Sequence, residues 1–226
     1  MAALIELRGV SHAFDGVPVL RDVNLRLLQR RIGVIGANGS GKSTFARALN
    51  GLLIPAQGEV LVEGVSTRKD GRAARRKVGL VFQNPEHQIV MPTVEEDLAF
   101  GPKNLGLGAS EIERRMGALL AGYGLAEKRT HAAHLLSGGE KKLLTLLSVL
   151  IMEPDAIVFD EPMNSLDLPS QRKIAAVIDG LPQRVITITH DLGLIEGYDR
   201  VILFERGAVA ADGAPGDVIR HYLETV

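Results

Sequence analysis

The sequence predicts an α/β protein with a parallel sheet core, an antiparallel β layer and a helical subdomain. Short apolar runs separated by helical patterns are typical of parallel strands buried on both faces, and they occupy residues 32–35, 78–82, 156–159, 185–189 and 201–204. Alternating apolar and polar residues predict strands of an antiparallel layer over 4–10, 19–27 and 58–64. Residues from about 85 to 152 carry several helical patterns and no convincing strand, which predicts a helical lobe.

Two stretches between the predicted strands carry local signals of structure. The stretch 68–77 is strongly basic, and such charge runs are usually solvated, so a surface loop and helix are expected there. A helix of the lobe is predicted to begin at Ser110, because Glu113 follows three residues later as in a capping box and apolar residues continue at helical spacing.

The composition limits the classes of function. The chain has 226 residues, a length that one α/β domain can reach. Lys and Arg number 26 against 27 Asp and Glu, so no strong basic field attracts nucleic acid, and nucleic acid is not an expected partner. Cysteine is absent, which excludes disulfides and thiol catalysis. The longest apolar run, 143–152, is well short of the roughly 20 residues that cross a bilayer, so any membrane association is expected to be peripheral.

The most informative segment, 36–43, matches the G-x-x-x-x-G-K-[S/T] pattern that binds nucleotide phosphates. It lies between the strand-like run 32–35 and a helical pattern at 44–50, which is the context that the pattern requires. Its glycines let the backbone fold closely around an anion, and the helix N-terminus adds positive potential. Lys42 is expected to reach the β- and γ-phosphates of a nucleotide and Ser43 to bind Mg²⁺. The alternative is a glycine-rich turn that only resembles such a loop.

Two carboxylates, Asp160 and Glu161, directly follow the predicted strand 156–159. They lie at its C-terminal edge, where ligands bind in open α/β sheets. Asp160 can hold Mg²⁺ opposite Ser43, and Glu161 can polarise an attacking water. The alternative is that both residues merely end a strand and begin a loop.

Three further polar positions fit the same edge or a second anion site. Gln83 follows the run 78–82 and His190 follows the run 185–189, so both are expected near Asp160. His190 could donate to a γ-phosphate, although a lone histidine is more often structural. Ser137 and two glycines begin a long apolar helix, a pattern that alone more often marks a capped helix start than an anion site.

With these motifs, the chain resembles the ATP-binding cassette (ABC) ATPases over essentially its whole length. The resemblance implies a P-loop NTPase with a RecA-like parallel sheet core and Mg²⁺-dependent hydrolysis of ATP. It also implies a single domain over residues 1–226. The nucleotide-binding core of that domain is expected at 1–83 and 152–226, and its helical subdomain at 84–151.

The resemblance further implies a role for each motif. Phe14 would stack on adenine, although an aromatic residue equally suits a plain core position. The implied catalytic residues are Glu161, His190, Gln83 and Lys42. The implied Mg²⁺ ligands are Ser43, Gln83 and Asp160. The implied nucleotide-binding residues are Phe14, Gly36, Ala37, Asn38, Gly39, Ser40, Gly41, Lys42, Ser43, Thr44, Ser137, Gly138, Gly139 and Asp167.

The signature motif 136–140 departs from the family pattern in small ways. It ends in Glu140 instead of the usual Gln, and Lys141 and Lys142 replace a commoner Gln/Arg pair. Phe14 similarly replaces a commoner Tyr. None of these changes removes a catalytic group.

The quaternary arrangement is likewise implied by the resemblance. One cassette is encoded, so two chains would sandwich two ATP molecules, with Ser137 and Gly139 acting in trans. A homodimer is favoured over a heterodimer with a similar chain.

Residues 83–101 resemble the ATPases of energy-coupling factor (ECF) transporters, which import vitamins and transition-metal ions. The implied partners are a transmembrane coupling protein and a membrane substrate-capture protein, with this chain at the cytoplasmic face of the membrane. The chain lacks the C-terminal extension of many relatives, which favours the short ATPases of biotin-type modules over cobalt or nickel modules. The alternatives are a conventional binding-protein-dependent importer and a soluble cassette protein without a transport role.

Overall fold

The computed structural model describes residues 4–225, and one of its two sheets is antiparallel. This sheet has four strands: β1 (Ile5–Phe14), β2 (Val17–Leu27), β4 (Gln57–Val62) and β5 (Val65–Ser66). Their order is β2-β1-β4-β5, and every neighbouring pair is antiparallel. The antiparallel layer predicted from the alternating residues is therefore confirmed.

The second sheet is the parallel core. Its six strands are β3 (Arg31–Ile35), β6 (Val78–Val81), β7 (Ala156–Asp160), β8 (Arg184–Ile188), β9 (Arg200–Glu205) and β10 (Ala208–Gly213). Their order is β10-β9-β3-β8-β7-β6, and only β10 runs antiparallel to its neighbour. Strands β7 and β8 are buried at every position, as expected for strands covered on both faces.

The helices lie between and beside these strands. The α-helices are α1 (Lys42–Leu49), α2 (Gly71–Lys77), α3 (Val94–Asn104), α4 (Ala109–Gly122), α5 (Gly138–Leu150), α6 (Leu168–Gly180) and α7 (Pro215–Thr225). Short 3₁₀ helices cover Pro85–His87, Ala126–Lys128, Ala133–Leu135 and Leu192–Leu194.

Alternate residues of the parallel strands pack into cores on opposite faces. Val158 of β7 and Ile186 of β8 belong to the core shared with α1 and the antiparallel sheet. Phe159 and Val185 point the other way and belong to the core shared with helices α3 to α6. A smaller core joins β3 and β9 to α7. The period of two along each strand thus explains why the core strands read as continuous apolar runs.

This topology brings four chain segments to one edge of the sheet. In the parallel register Val81 pairs with Phe159, and Asp160 pairs with Ile188, so strands β6, β7 and β8 end side by side. Strand β3 lies next to β8 and ends at the same edge. The segments that follow these strands contain residues 36–43, called the glycine-rich loop below, and Gln83, Glu161 and His190.

The structure corrects one local prediction and adds two strands. Helix α4 begins at Ala109 with Gly108 as its N-cap and no side-chain cap, so the capping box predicted at Ser110 is wrong. Complete capping boxes begin α3 at Thr93 and α5 at Ser137 instead. Strands β5 and β10 were not predicted.

Helices α3, α4 and α5 pack on one another, but the division of the chain at 84 and 151 stays a prediction. Residues 1–3 and 226 of the predicted domain lie outside the described residues. Within residues 4–225, no helix is both long and apolar enough to cross a membrane.

Candidate active site

A cavity of about 460 Å³ opens at the shared edge of the core strands. Its lining includes residues 38–43 of the glycine-rich loop 36–43 together with residues from other segments, whereas the predicted site residues Gly36, Ala37 and Asp160 are not among the residues that line it. The lining residues are Phe14, Val19, Asn38, Gly39, Ser40, Gly41, Lys42, Ser43, Thr44, Gln83, Glu161, Asn164 and His190. The predicted catalytic residues therefore meet in one cavity, although they come from distant parts of the chain.

The backbone of the glycine-rich loop adopts conformations that require glycine at two positions. Gly36 has φ of 141°, and a Cβ there would lie 2.1 Å from the carbonyl oxygen of Phe204. Gly41 has φ of 101°, and a Cβ there would lie 2.5 Å from the carbonyl oxygen of Val19. The loop leads directly into α1, whose first N–H groups have no partner within the helix. Such a loop and helix N-terminus fit a phosphate group.

Lys42 is buried beneath this loop. Its Nζ donates to the carbonyl oxygen of Gly36 at 2.6 Å and to that of Ala37 at 2.9 Å. Burial lowers the pKa of Lys42, while the nearby carboxylates of Glu161 and Asp160 oppose this shift. The ammonium is thus held at the cavity by backbone acceptors, and no carboxylate of residues 4–225 is its direct partner.

Ser43 and Asp160 form a direct contact beside the loop. The Ser43 hydroxyl donates to Asp160 Oδ1 at 3.1 Å. Asp160 is 5% exposed, and burial raises its pKa, against the lowering effect of the Ser43 hydrogen bond. A hydroxyl and a carboxylate oxygen are the ligand types that Mg²⁺ prefers, so this pair fits a magnesium ion.

Glu161 is held in an uncommon backbone conformation. Its φ is 50°, and its N–H donates to the carbonyl oxygen of Ile188 on the adjacent strand at 3.0 Å. Non-glycine residues in this region cluster at functional sites because the surrounding structure must enforce the conformation. His190 Nε2 lies 3.1 Å from Glu161 Oε1. Burial raises the pKa of Glu161, while His190 and Lys42 oppose the shift.

Phe14 lies at the rim of the cavity and is 47% exposed, so the alternative of a plain core position for Phe14 is wrong. Its ring meets the ring of His12 edge-on, with centroids 4.7 Å apart. The exposed ring is available to an apolar or aromatic group entering the cavity.

The predicted signature residues lie outside this cavity. Ser137 caps α5, where its hydroxyl accepts from the N–H of Glu140 and the Glu140 carboxylate accepts from the N–H of Ser137. Lys128 also pairs with Glu140 at 2.7 Å, and together these hydrogen bonds hold the pKa of Glu140 at about 2. The Glu that departs from the family pattern therefore serves as an ion-paired helix cap.

Gly138 and Gly139 form the first turn of α5, and Gly139 packs closely against α6. A Cβ on Gly139 would lie 2.5 Å from Ser170 Oγ. Asp167 caps α6 by accepting from the N–H of Ser170 at 3.0 Å. Neither glycine nor Asp167 lines the cavity among the described residues.

Two lining residues were not predicted as site residues. Val19 reaches the cavity because β2 packs against the glycine-rich loop, a tertiary contact without a local sequence signal. Asn164 lies three residues after Glu161 and begins the segment 164–167, which the family resemblance assigns to the motif that ends in the predicted site residue Asp167.

Comparison with known proteins agrees with this geometry. Residues 20–164 match the ABC transporter family. The chain is 44% identical to the biotin transport ATP-binding protein BioM of Rhodobacter capsulatus, over 97% of this chain and 94% of the relative. It is 42% identical to the energy-coupling factor transporter ATP-binding protein EcfA of Methanosarcina acetivorans, over 96% of this chain and 81% of the relative.

A solved structure shows the same fold. It is that of cbiO1 from Clostridium perfringens, described as part of the ABC transporter complex cbiONQ. The TM-score is 0.84 at 29% identity, over 99% of this chain and 93% of the other. The predicted fold and the predicted energy-coupling resemblance are confirmed. The chain belongs to the ABC transporter family, as an ATP-binding and ATP-hydrolysing cassette of the energy-coupling factor type.

Proposed function

We propose that this chain is the ATPase subunit of an energy-coupling factor importer for biotin, and that it acts as a homodimer at the cytoplasmic face of the membrane. One observation carries the catalytic part of the proposal. The Ser43–Asp160 contact and the Glu161–His190 contact lie beside the cavity that the glycine-rich loop 36–43 also lines. Nucleotide hydrolysis requires ligands for a metal ion and a general base next to the bound phosphates, and Ser43 with Asp160 and Glu161 fit these two roles.

The triphosphate of ATP is placed on the loop 36–44. The backbone N–H groups of the loop and of the first turn of α1 donate to phosphate oxygens. Lys42 Nζ exchanges its present backbone acceptors for oxygens of the β- and γ-phosphates. The adenine ring stacks on the exposed ring of Phe14 at the other end of the cavity.

Ser43, Asp160 and Gln83 would hold Mg²⁺, which would supply positive charge to offset the negative charge of the phosphates. The fit of this ion rests on the oxygen donors of Ser43 and Asp160 and on their short separation. Gln83 lines the same cavity from the end of β6.

Glu161 acts as the general base. It takes a proton from the attacking water, whose oxygen bonds to the γ-phosphorus as the bond to the bridging oxygen of ADP breaks. Burial strengthens Glu161 as a base because it raises the carboxyl pKa. His190 Nε2 lies 3.1 Å from the Glu161 carboxylate, and the His190 ring lines the cavity, where it donates to the γ-phosphate.

A second copy of the chain completes each site. Ser137, Gly138, Gly139 and Asp167 do not line the cavity of their own chain, so their proposed nucleotide contacts need a partner. The capped N-terminus of α5 presents Ser137 and Gly139 as donors for the γ-phosphate bound to the partner. ATP then closes the dimer, and hydrolysis reopens it.

The transported solute is proposed from the relatives. A relative of nearly the same length is named for biotin transport, which supports biotin over a transition-metal ion. The proposed membrane partners are a transmembrane coupling protein and a substrate-capture protein. If biotin uptake by the source organism is unaltered after deletion of the gene, the solute assignment is wrong. Uptake of cobalt or nickel lost in the same strain would then identify the metal alternative.

The catalytic assignment is tested by Glu161→Gln. The variant keeps the shape of the side chain but removes the base, so turnover is expected to fall by about 10²–10⁴-fold. ATP affinity is expected to persist, and a closed dimer is expected to accumulate in gel filtration with ATP and Mg²⁺. Glu127→Gln is the matched control, because Glu127 is exposed on the 3₁₀ helix Ala126–Lys128 and is not among the described residues that line the cavity. Normal turnover in Glu161→Gln would contradict the assignment of the base.

A further inference from the structure

Residues 82–91, here called the Q segment, follow β6 and carry Gln83. The regular structure of the segment is limited to the 3₁₀ turn Pro85–His87. Its backbone hydrogen bonds from His87, Gln88 and Ile89 are local, since each reaches a carbonyl of residue 84 or 85. Gln83 must nevertheless be positioned accurately if it serves the reacting nucleotide. Two side chains provide that positioning, one from helix α5 and one from the Q segment itself.

The first of these side chains is Lys142 on α5. Although it is a lysine, Lys142 is only 2% exposed. Its Nζ donates to the carbonyl oxygen of Phe82 at 3.0 Å and to that of Gln83 at 2.6 Å. Within residues 4–225 its ammonium forms no ion pair with a carboxylate. Burial lowers the pKa of Lys142 to about 8, against the opposing effect of the nearby carboxylates of Asp160 and Glu161.

The second side chain is Gln88, which lies within the Q segment. Its Oε1 accepts from the N–H of Phe82 at 3.0 Å, and its Nε2 donates to the carbonyl oxygen of Thr145 on α5 at 3.1 Å. Gln88 therefore closes the segment into a loop and joins that loop to α5. Lys141 adds an ion pair with Glu86 at 2.6 Å.

We propose that Lys142 and Gln88 are positioning residues that fasten Gln83 to helix α5, so that Gln83 moves with the signature end of that helix. Lys142 lies five residues after Ser137, or roughly 8 Å along the helix axis. A displacement of Ser137 by the nucleotide of the partner subunit is thereby transmitted to Gln83 in the chain's own site. This inference rests on the proposed function, because it assumes that Ser137 meets a nucleotide held by a second copy.

The contacts themselves indicate a positioning role more than simple packing. A buried apolar residue would fill the same space without the cost of desolvating an ammonium group. The ammonium has two acceptors, and both are carbonyls at the start of the Q segment. These two hydrogen bonds offset the desolvation cost of the buried ammonium. Both are formed where the chain leaves strand β6 and enters the Q segment.

The test uses the full chain, which has no cysteine, so His87→Cys creates a single site for a nitroxide spin label in the Q segment. Into this labelled background we would introduce Lys142→Met, Gln88→Leu, the conservative Lys142→Arg and the control Lys103→Met. Lys103 is exposed on α3 and lies outside the site. Label mobility, ATP affinity by calorimetry, kcat and the melting temperature would be measured for each variant.

In Lys142→Met we expect a more mobile label and a kcat lowered by about tenfold or more, since a displacement of about 1 Å at a reacting group can cost on the order of 10²-fold. ATP affinity should stay within about twofold of the parent, because the loop 36–44 is untouched. Lys142→Arg should restore most of the turnover, and Lys103→Met should match the parent.

Parental label mobility and kcat in both Lys142→Met and Gln88→Leu would overturn the inference. Loss of ATP affinity together with thermal stability, not restored by Lys142→Arg, would also overturn it by showing a purely structural role. If Lys142→Met does not fold, label mobility and kcat in Gln88→Leu decide the question. A parent chain that fails to hydrolyse ATP would refute the proposed function instead, and label mobility would still test the attachment to α5.

Discussion

The buried carboxylate of Asp97 yields a stability prediction whose size follows from its hydrogen bonds. Asp97 lies in the first turn of α3 and is 4% exposed. Its Oδ1 accepts from the N–H of Val90 at 2.9 Å and from the N–H of Met91 at 3.2 Å. Its Oδ2 accepts from the hydroxyl of Ser148 on α5 at 2.9 Å. One side chain thus fixes the end of the Q segment to two helices.

Replacement of Asp97 by Asn is expected to keep all of these hydrogen bonds. The amide oxygen can accept from both N–H groups, and the amide nitrogen can donate to the Ser148 oxygen. The hydroxyl proton of Ser148 then goes to the carbonyl oxygen of Leu144, which is already 3.0 Å away. The main loss is the favourable interaction of a negative charge with the N-terminus of α3, about 0.5 kcal/mol.

Replacement of Asp97 by Ala is expected to cost much more. It leaves the N–H groups of Val90 and Met91 without an acceptor, and two such donors at about 1.5 kcal/mol each give about 3 kcal/mol. Urea unfolding should show this difference as a midpoint lower by about 1 M, for an m value of about 3 kcal/mol/M. Amide hydrogen exchange at residues 90 and 91 should accelerate in the Ala variant alone.

The Asn and Ala variants also provide the refutation. If Asn lowers the free energy of unfolding as much as Ala does, the charge of Asp97 stabilises the fold and the hydrogen bonds do not. If Ala leaves both the midpoint and the exchange rates unchanged, Asp97 does not anchor the Q segment.

Three further outcomes are expected. Lys42→Ala should weaken ATP binding by about tenfold to a hundredfold in calorimetry, since charge-assisted hydrogen bonds are lost, and an unchanged affinity would contradict the role of the loop. Because burial raises the pKa of Glu161 in the free enzyme above its ordinary 4.5, kcat/KM should fall with decreasing pH through a value higher than 4.5; an acid limb of kcat/KM at or below 4.5 would exclude a buried base. Gly139→Ala should destabilise the fold by about 1–3 kcal/mol, because its methyl group would lie 2.9 Å from the Cβ of Ser170. Gly138→Ala meets no atom nearer than 3.9 Å and should not lower the melting temperature, so equal melting temperatures for the two variants would argue against this packing.

The site was largely predictable because its residues follow buried strands. Apolar runs such as 156–159 are local signals, and the carboxyl ends of neighbouring parallel strands meet at one edge. The positions of Glu161 and His190 after two such runs therefore predicted that they meet, as they do at 3.1 Å. The uncommon backbone conformation of Glu161, with φ of 50°, could not be predicted, because no local sequence pattern indicates it.

The elements that were missed depend on tertiary contacts. Strand β10 is half-exposed, lies at the edge of its sheet beside β9 and contains small residues, so its sequence lacks an apolar run. The helix start predicted at Ser110 shifted because Gly108 already adopts the extended conformation of an N-cap. Lys142 follows the helix start by a few residues and reads as a solvated charge, and only the packing of α5 on the sheet reveals that it is buried.

The position of the Q segment therefore depends on a few polar side chains more than on backbone pairing. Lys142 and Gln88 hold its beginning to α5, and Asp97 holds its end to α3 and, through Ser148, to α5 as well. Both ends of the Q segment are thus attached to α5, the helix that Ser137 caps. A segment fastened at two points to one helix follows that helix as a body, whereas a segment held by a β ladder would follow the sheet. Loosening either end should therefore alter turnover without changing the residues that bind the phosphates.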